Sequence, residues 1–111
     1  MENLLILTGF GPFGSIERNL SGELVKLFPK TLNDIDIYTG ILPVSWKKSI
    51  EEYNLLIQPK KDNIELALLL GVHQKNSISL EKRALNWTFG WDIDNDYKRG
   101  WSVGKWPLCN W

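Results

Sequence analysis

A single cysteine excludes an internal disulfide, and with it the usual mark of an oxidising compartment. Nor is there an excess of either charge: thirteen basic side chains balance thirteen acidic ones, so no overall field draws the chain to nucleic acid or to anionic lipid. No run approaches the roughly 20 apolar residues that span a bilayer. At the amino terminus Glu2 stands where a secretory signal carries positive charge, and the apolar run that follows is short. These absences make the cytoplasm the expected compartment. There is also no internal repeat and no low-complexity stretch.

What is present is ordinary for a folded chain of 111 residues: 43% hydrophobic and 23% charged residues suit one small domain and argue against disorder. Tryptophan is unevenly spread. Trp46 is alone in the first three quarters, whereas Trp87, Trp91, Trp101, Trp106 and Trp111 crowd the end. A change of character is therefore expected after about Asn95, dividing residues 1–96 from a tryptophan-rich tail, 97–111.

Hydrophobic periodicity alternates along the chain. Leu4–Thr8 has the composition of a strand buried on both faces. Leu20, Leu24, Val25 and Phe28 recur at helical spacing, with Asn19 or Ser21 as cap and Pro29 as stop. IDIYTGIL (Ile35–Leu42) is a strand closed by Pro43. Trp46, Ile50, Tyr53 and Ile57 mark a second helix, with Ser45 as cap and Pro59 beyond its end. IELALLL (Ile64–Leu70), the most apolar run, is expected to be a central parallel strand, and Ser77–Trp87 to be extended. The order β-α-β-α-β-β implies an α/β fold: a mainly parallel sheet between helices, with ligands held beyond the carboxyl ends of its strands. The loops at that end are Gly9–Arg18, Pro43–Ser45 and Gly71–Asn76.

The first of these contains G-F-G-P-F-G, which satisfies the G-x-G-x-x-G pattern of dinucleotide sites. The context does not. Pro12 removes a backbone donor from the phosphate cradle, and Phe10 and Phe13 put bulky rings where the backbone must come close. The helix begins near Asn19, past the third glycine, so its N-terminal amides miss the phosphates. Asp34 and Asp36 open the second strand instead of ending it. Two phenylalanines on a rigid glycine-proline turn offer flat apolar walls, suited to a small, planar, uncharged ligand. The plainer alternative is that both rings plug the top of the core.

TGFGPFG (Thr8–Gly14) with Asn19 behind it, LPV (Leu42–Val44) and SISLEKRALN (Ser77–Asn86) together resemble the pyroglutamyl peptidase I family, the pyrrolidone-carboxylate peptidases. The resemblance runs from about Leu4 to Asn95, with the three motifs in the family's order. It implies a three-layer α/β/α sandwich, here its N-terminal part, and a cysteine peptidase that removes N-terminal pyroglutamate from peptides, with no metal and no cofactor. By resemblance Phe10 and Phe13 line the lactam pocket and Asn19 braces the loop or the helix start. Selectivity in such a pocket comes from pairing the lactam N–H and C=O, because an unpaired buried polar group costs about 1–3 kcal/mol.

The family cuts with a cysteine nucleophile, a histidine that activates it and a carboxylate that orients the histidine. By resemblance Glu81 is that carboxylate. The other two belong to the second half of a typical member. His73, the only histidine, precedes Glu81 instead of following the cysteine, and Cys109 sits in PLCNW without the family's spacing. Trp91 occupies the place of the family's arginine. The expectation is a relative that is inactive alone. A non-catalytic module that binds pyroglutamyl peptides or associates with other subunits is the alternative, and self-association into a homo-oligomer is compatible with both. The tail YKRGWSVGKW interleaves basic and aromatic residues, but with no net charge nucleic acid is not an expected partner. A sheet of three or four strands also has an open edge. Either the tail covers it, or subunits pair there, or the chain is unstable.

Overall fold

In a computed structural model, residues 3–73, 76–81, 83–85, 88–100 and 108–110 are described. Lys75, Lys82, Trp87, stretch 101–107 and Trp111 lie outside them. The chain divides into two compact units, Met1–Val72 and His73–Trp111. The change in tryptophan content falls within the second, inside a hairpin described below.

The first unit holds β1 (Leu4–Phe10), α1 (Leu20–Leu27), β2 (Thr31–Leu32), β3 (Ile35–Leu42), α2 (Lys48–Ile57) and β4 (Ile64–Leu69). A 3-10 turn over Gln58–Asn63, with Pro59 in its first positions, leads from α2 into β4. The sheet order is β2-β3-β1-β4, with β1 parallel to both β3 and β4. β1 is therefore the central strand. β4, expected at the centre from its composition, is terminal among the described residues.

β2 was not foreseen. It is a two-residue antiparallel arm on β3, turned by Asn33 and Asp34, both at positive φ (49° and 64°). Two such residues in succession make the mirror-image turn whose twist matches a hairpin. Asp34 is thus a turn residue.

Residues paired across a parallel ladder share a face, and neighbours along a strand alternate. Leu5, Leu7 and Gly9 therefore share one face with Ile37, Thr39 and Ile41; Ile6, Thr8 and Phe10 share the other with Tyr38, Gly40 and Leu42. Helix α1 covers the first face, where Leu7, Val25 and Ile37 form the buried cluster. Helix α2 lies on the second, with Leu56 against Gly40. The result is helix, sheet, helix: a three-layer α/β/α arrangement with a mostly parallel sheet.

α1 does not bury the face its leucines suggested. Its buried residues are Ser21, Gly22 and Val25, while Leu20, Leu24 and Leu27 are exposed. The cause is a close backbone approach. A Cβ on Gly9 would collide with the Ser21 carbonyl, and one on Gly22 with the Phe10 carbonyl. Two glycines let strand and helix touch main chain to main chain, so small residues form the inner face.

At α2 the cap position is Lys47, which makes no side-chain cap bond, and not Ser45 as expected. The Ser45 hydroxyl accepts the Lys48 amide (3.1 Å) and its carbonyl the Ser49 amide (3.2 Å), so it satisfies N-terminal donors from two residues upstream. Lys60 Nζ lies 3.2 Å from the centroid of the Tyr38 ring, a cation–π contact that ties the 3-10 turn to β3.

The second unit contains β5 (Arg83–Leu85) paired antiparallel with β8 (Leu108–Asn110), and a hairpin of β6 (Thr88–Trp91) and β7 (Tyr97–Gly100). Among the described residues of the expected extended stretch, Arg83–Leu85 is strand and Ile78–Glu81 is irregular. No helix among the described residues is long and apolar enough to cross a membrane.

Candidate functional site

The loop after β1 is held from three sides. The Phe10 amide donates to Ser21 Oγ (2.9 Å), and the Ser21 hydroxyl donates to Asn19 Oδ1 (2.6 Å). The same Asn19 oxygen accepts the Ser21 amide (3.1 Å), while Asn19 Nδ2 donates to the Gly11 carbonyl (3.1 Å). The Gly11 amide in turn donates to the Leu42 carbonyl (2.9 Å), joining the glycine loop to the end of β3. One buried asparagine thus caps α1 and holds the Gly11 carbonyl of the loop, doing both tasks that the resemblance left as alternatives.

Farther along, Phe13 and Ile16 exchange both backbone hydrogen bonds (3.1 and 2.9 Å) around a tight turn with Gly14 at φ 55°. A φ in this left-handed region favours glycine, which has no Cβ to clash. Phe10 and Phe13 are both half-buried, and Asn19 is 3% exposed. The rings are therefore mounted on a backbone fixed by side-chain hydrogen bonds instead of by regular structure.

The buried polar side chains among the described residues are Thr8, Asn19, Ser21 and Ser45, none of them charged. All four stand at or just beyond the carboxyl ends of β1 and β3, the end where α/β sheets hold ligands. Arg18 on the loop and Glu23 of α1 form an ion pair at 3.7 Å on the surface. A site bounded by such groups recognises a ligand by hydrogen bonding and apolar contact, not by ion pairing. Ser21 was foreseen only as a possible cap. The short spacing Asn-Leu-Ser, which puts both side chains on one turn, was the available signal for its link to Phe10.

Thr8 Oγ1 is buried without a hydrogen-bond partner. It faces the α2 side of β1, beside Gly40. A surface hollow of about 320 Å³ opens on that side, lined by Gly40, Ile41, Leu42, Glu52, Leu55 and Leu56; Phe10 and Phe13 do not border it.

Glu81 lies in the second unit, with its side chain exposed, two residues before β5. The loop residues and Glu81 thus belong to different units. His73 is in the second unit as well: its Nε2 hydrogen-bonds the Ser77 carbonyl (2.8 Å), with Ser79 Oγ at 3.4 Å, so the ring organises the turn after β4. Cys109 is the middle residue of β8 and pairs in register with Ala84, three positions from Glu81.

Asp92, Asp94 and Asp96 bring carboxylate oxygens within 4.8 Å of one another in the β6–β7 turn. Asp92 Oδ1 accepts the amides of Asp94 and Asp96, both at 2.9 Å. That bonding accounts for the cluster as a turn device.

The profile of the pyroglutamyl peptidase family matches residues 3–99. A pyrrolidone-carboxylate peptidase of Alkaliphilus oremlandii is 31% identical over 83 residues, which are 74% of this chain and 38% of that protein. Pyroglutamyl peptidase I from Bacillus amyloliquefaciens superposes with a TM-score of 0.86 at 24% identity, covering 98% of this chain and 54% of that one. A mutant pyrrolidone carboxyl peptidase of Pyrococcus furiosus gives a TM-score of 0.88 at 22% identity, over 96% and 53% of the two chains. The chain spans less than half the length of that curated relative and about half that of the solved structures.

Proposed function

The chain belongs to the pyroglutamyl peptidase family, and from that membership we propose that it carries the substrate-side loop of a pyroglutamyl site without the power to cleave on its own. Phe10 and Phe13 are the walls for the five-membered lactam. Asn19 holds them in place, and backbone groups of the loop pair the lactam N–H and C=O. Glu81 is the carboxylate that orients the imidazole of a complete catalytic set. Residues 1–96 are the family-like part.

The observation that carries this reading is the Asn19–Ser21 brace. It fixes Phe10 and Gly11 from a helix cap, using no charged group. A neutral lactam is the ligand such a site favours, since a fixed charge would find no counterpart on it.

Cleavage needs more. A thiol is mostly protonated at neutral pH, so it attacks an amide only beside a base that takes its proton and later returns one to the leaving amine. Here His73 bonds the Ser77 carbonyl, and Cys109 is the only thiol in the chain. Neither arrangement supports the nucleophile–base pair that the reaction requires. With no net charge and a single cysteine, the cytoplasm is the compartment this reading assigns.

The test is hydrolysis of a chromogenic pyroglutamyl amide by the purified chain. The expected result is no release above the buffer rate. Turnover that disappears in Cys109→Ala would overturn the proposal of inactivity.

A further inference from the structure

We propose that the outer edge of β3, with the hollow beside it, is a docking surface for a short extended peptide that carries an aliphatic side chain and, two residues along, a cationic one. The inference does not rest on the lactam pocket.

Hydrogen bonds within the first unit set which groups of β3 face outward. The Leu42 carbonyl accepts the Gly11 amide (2.9 Å), so Leu42 turns its main-chain polar groups toward β1. These groups alternate along a strand, so Thr39 and Ile41 turn theirs away from β1. Ile37 follows the same rule: its amide donates to the Lys30 carbonyl, on the side of the β2 arm (2.8 Å). That arm pairs with Ile35 and Asp36, and β3 stops before Pro43. A window of main chain is left between the arm and the proline, and Thr39 and Ile41 are both exposed in it.

The hollow of about 320 Å³ lies against this window. On the strand side it is bounded by Gly40, which contributes no side chain, and by Leu42; on the helix side it is bounded by Glu52, Leu55 and Leu56 of α2. Leu55 is 75% exposed, so the hollow offers apolar surface to whatever enters. Its single charged residue is Glu52. Glu51, one position before, pairs with Lys47 (3.9 Å), whereas Glu52 makes no ion pair among the described residues.

That combination selects the occupant. A peptide added to β3 as a strand bonds the main-chain groups of Thr39 and Ile41, and pockets for its alternate side chains give specificity. Opposite Gly40 an aliphatic side chain enters the hollow against Leu55 and Leu56. The next residue on the same face lies roughly 6.5–7 Å farther along the peptide. Glu52 and Leu56 are separated by about 6 Å along α2, so one wall takes the aliphatic group and the carboxylate meets a lysine or arginine. A second copy fits less well. Two β3 edges paired antiparallel through Thr39 and Ile41 set Gly40 opposite Gly40, which leaves the hollow unfilled and brings both Glu52 carboxylates to one axis. A small apolar ligand fills the hollow and leaves the strand edge to water.

The test titrates the full chain with acetyl-Thr-Leu-Thr-Lys-Thr-amide, and with the same peptide carrying Glu in place of Lys. Amide shifts and hydrogen exchange are read residue by residue by NMR at low salt. The expected result is saturable binding of the lysine peptide, with shifts at Leu55 and Leu56 and with the Thr39 and Ile41 amides exchanging about tenfold more slowly at saturation. The glutamate peptide should bind about threefold more weakly, and Glu52→Lys, an exposed position on α2, should invert that preference. A folded chain in which neither peptide slows exchange at Thr39 and Ile41 overturns the proposal, as does equal binding of the two peptides. Shifts at Leu55 and Leu56 without slowed exchange overturn it too, because the hollow then takes an apolar group and not a strand. So does slowing without peptide that rises with protein concentration, since the occupant is then a second copy. Neither peptide contains pyroglutamate and neither readout uses Phe10 or Phe13, so failure here is distinct from failure of the lactam reading.

Discussion

β1 and β4 are neighbours with nearly the same composition, and they meet opposite fates. LLIL in β1 is closed between α1, α2, β3 and β4, with Ile6 and Leu7 fully buried; LALL in β4 is open on both faces. Their carboxyl ends differ as well. β1 runs into a loop pinned by Asn19 and Ser21, whereas β4 runs into a turn organised by His73. Burial is thus a property of what stands beside a strand, and composition reports only what it is fit for.

Substitutions can break the contrast or sharpen it. The largest effect is expected at Leu7→Ala, which removes a fully buried side chain from the cluster with Val25 and Ile37 and should cost about 2–5 kcal/mol by denaturant unfolding. Leu68→Ala, its in-register partner on the same face, should cost less, about 1–2 kcal/mol in the isolated chain, because Leu68 is 38% exposed and part of its apolar area stays in water. Equal costs at the two sites would erase the distinction between core and edge.

Next comes Gly22→Ala. Its methyl group meets the Phe10 carbonyl, so strand and helix must separate, at about 1–3 kcal/mol or more. Asn19→Ala should then cost about 1–3 kcal/mol, since it removes the α1 cap and leaves the Gly11 carbonyl and the Ser21 donors without their partner. Beyond stability, it should weaken pyroglutamyl-peptide binding. Asn19→Asp separates these effects, retaining the cap acceptor while losing the Nδ2 donor to Gly11.

The smallest effect is expected at Thr8→Val. It replaces a buried hydroxyl that has no partner by a methyl of similar shape, so stability should stay within about 1 kcal/mol of the parent or rise. A loss above that range would show that the hydroxyl makes a bond in solution.

Much of this was legible in the sequence. β1, α1, β3, α2 and β4 sit where periodicity put them, and Ile35–Leu42 matches residue for residue. Residue type and position narrowed the α1 cap to Asn19 or Ser21, and the structure gives it to Asn19. What escaped was set by partners distant in sequence. The inner face of α1 is fixed by Gly9, a β1 residue, so the leucine spacing misled. The end position of β4 depends on which strands are present, which no local window contains. The β2 arm was missed because Asp34 was weighed for ligand chemistry instead of for the turn it forms with Asn33. Glu81 came from motif resemblance, and its exposed place before β5 offers no local feature that would have singled it out.

The most direct test of the central claim is a residue-resolved NMR titration of the folded chain with pyroglutamyl-alanine. Saturable shifts are expected at Phe10, Gly11 and Phe13, with the dipeptide recovered intact. A folded chain whose loop resonances stay still at saturating dipeptide would contradict it.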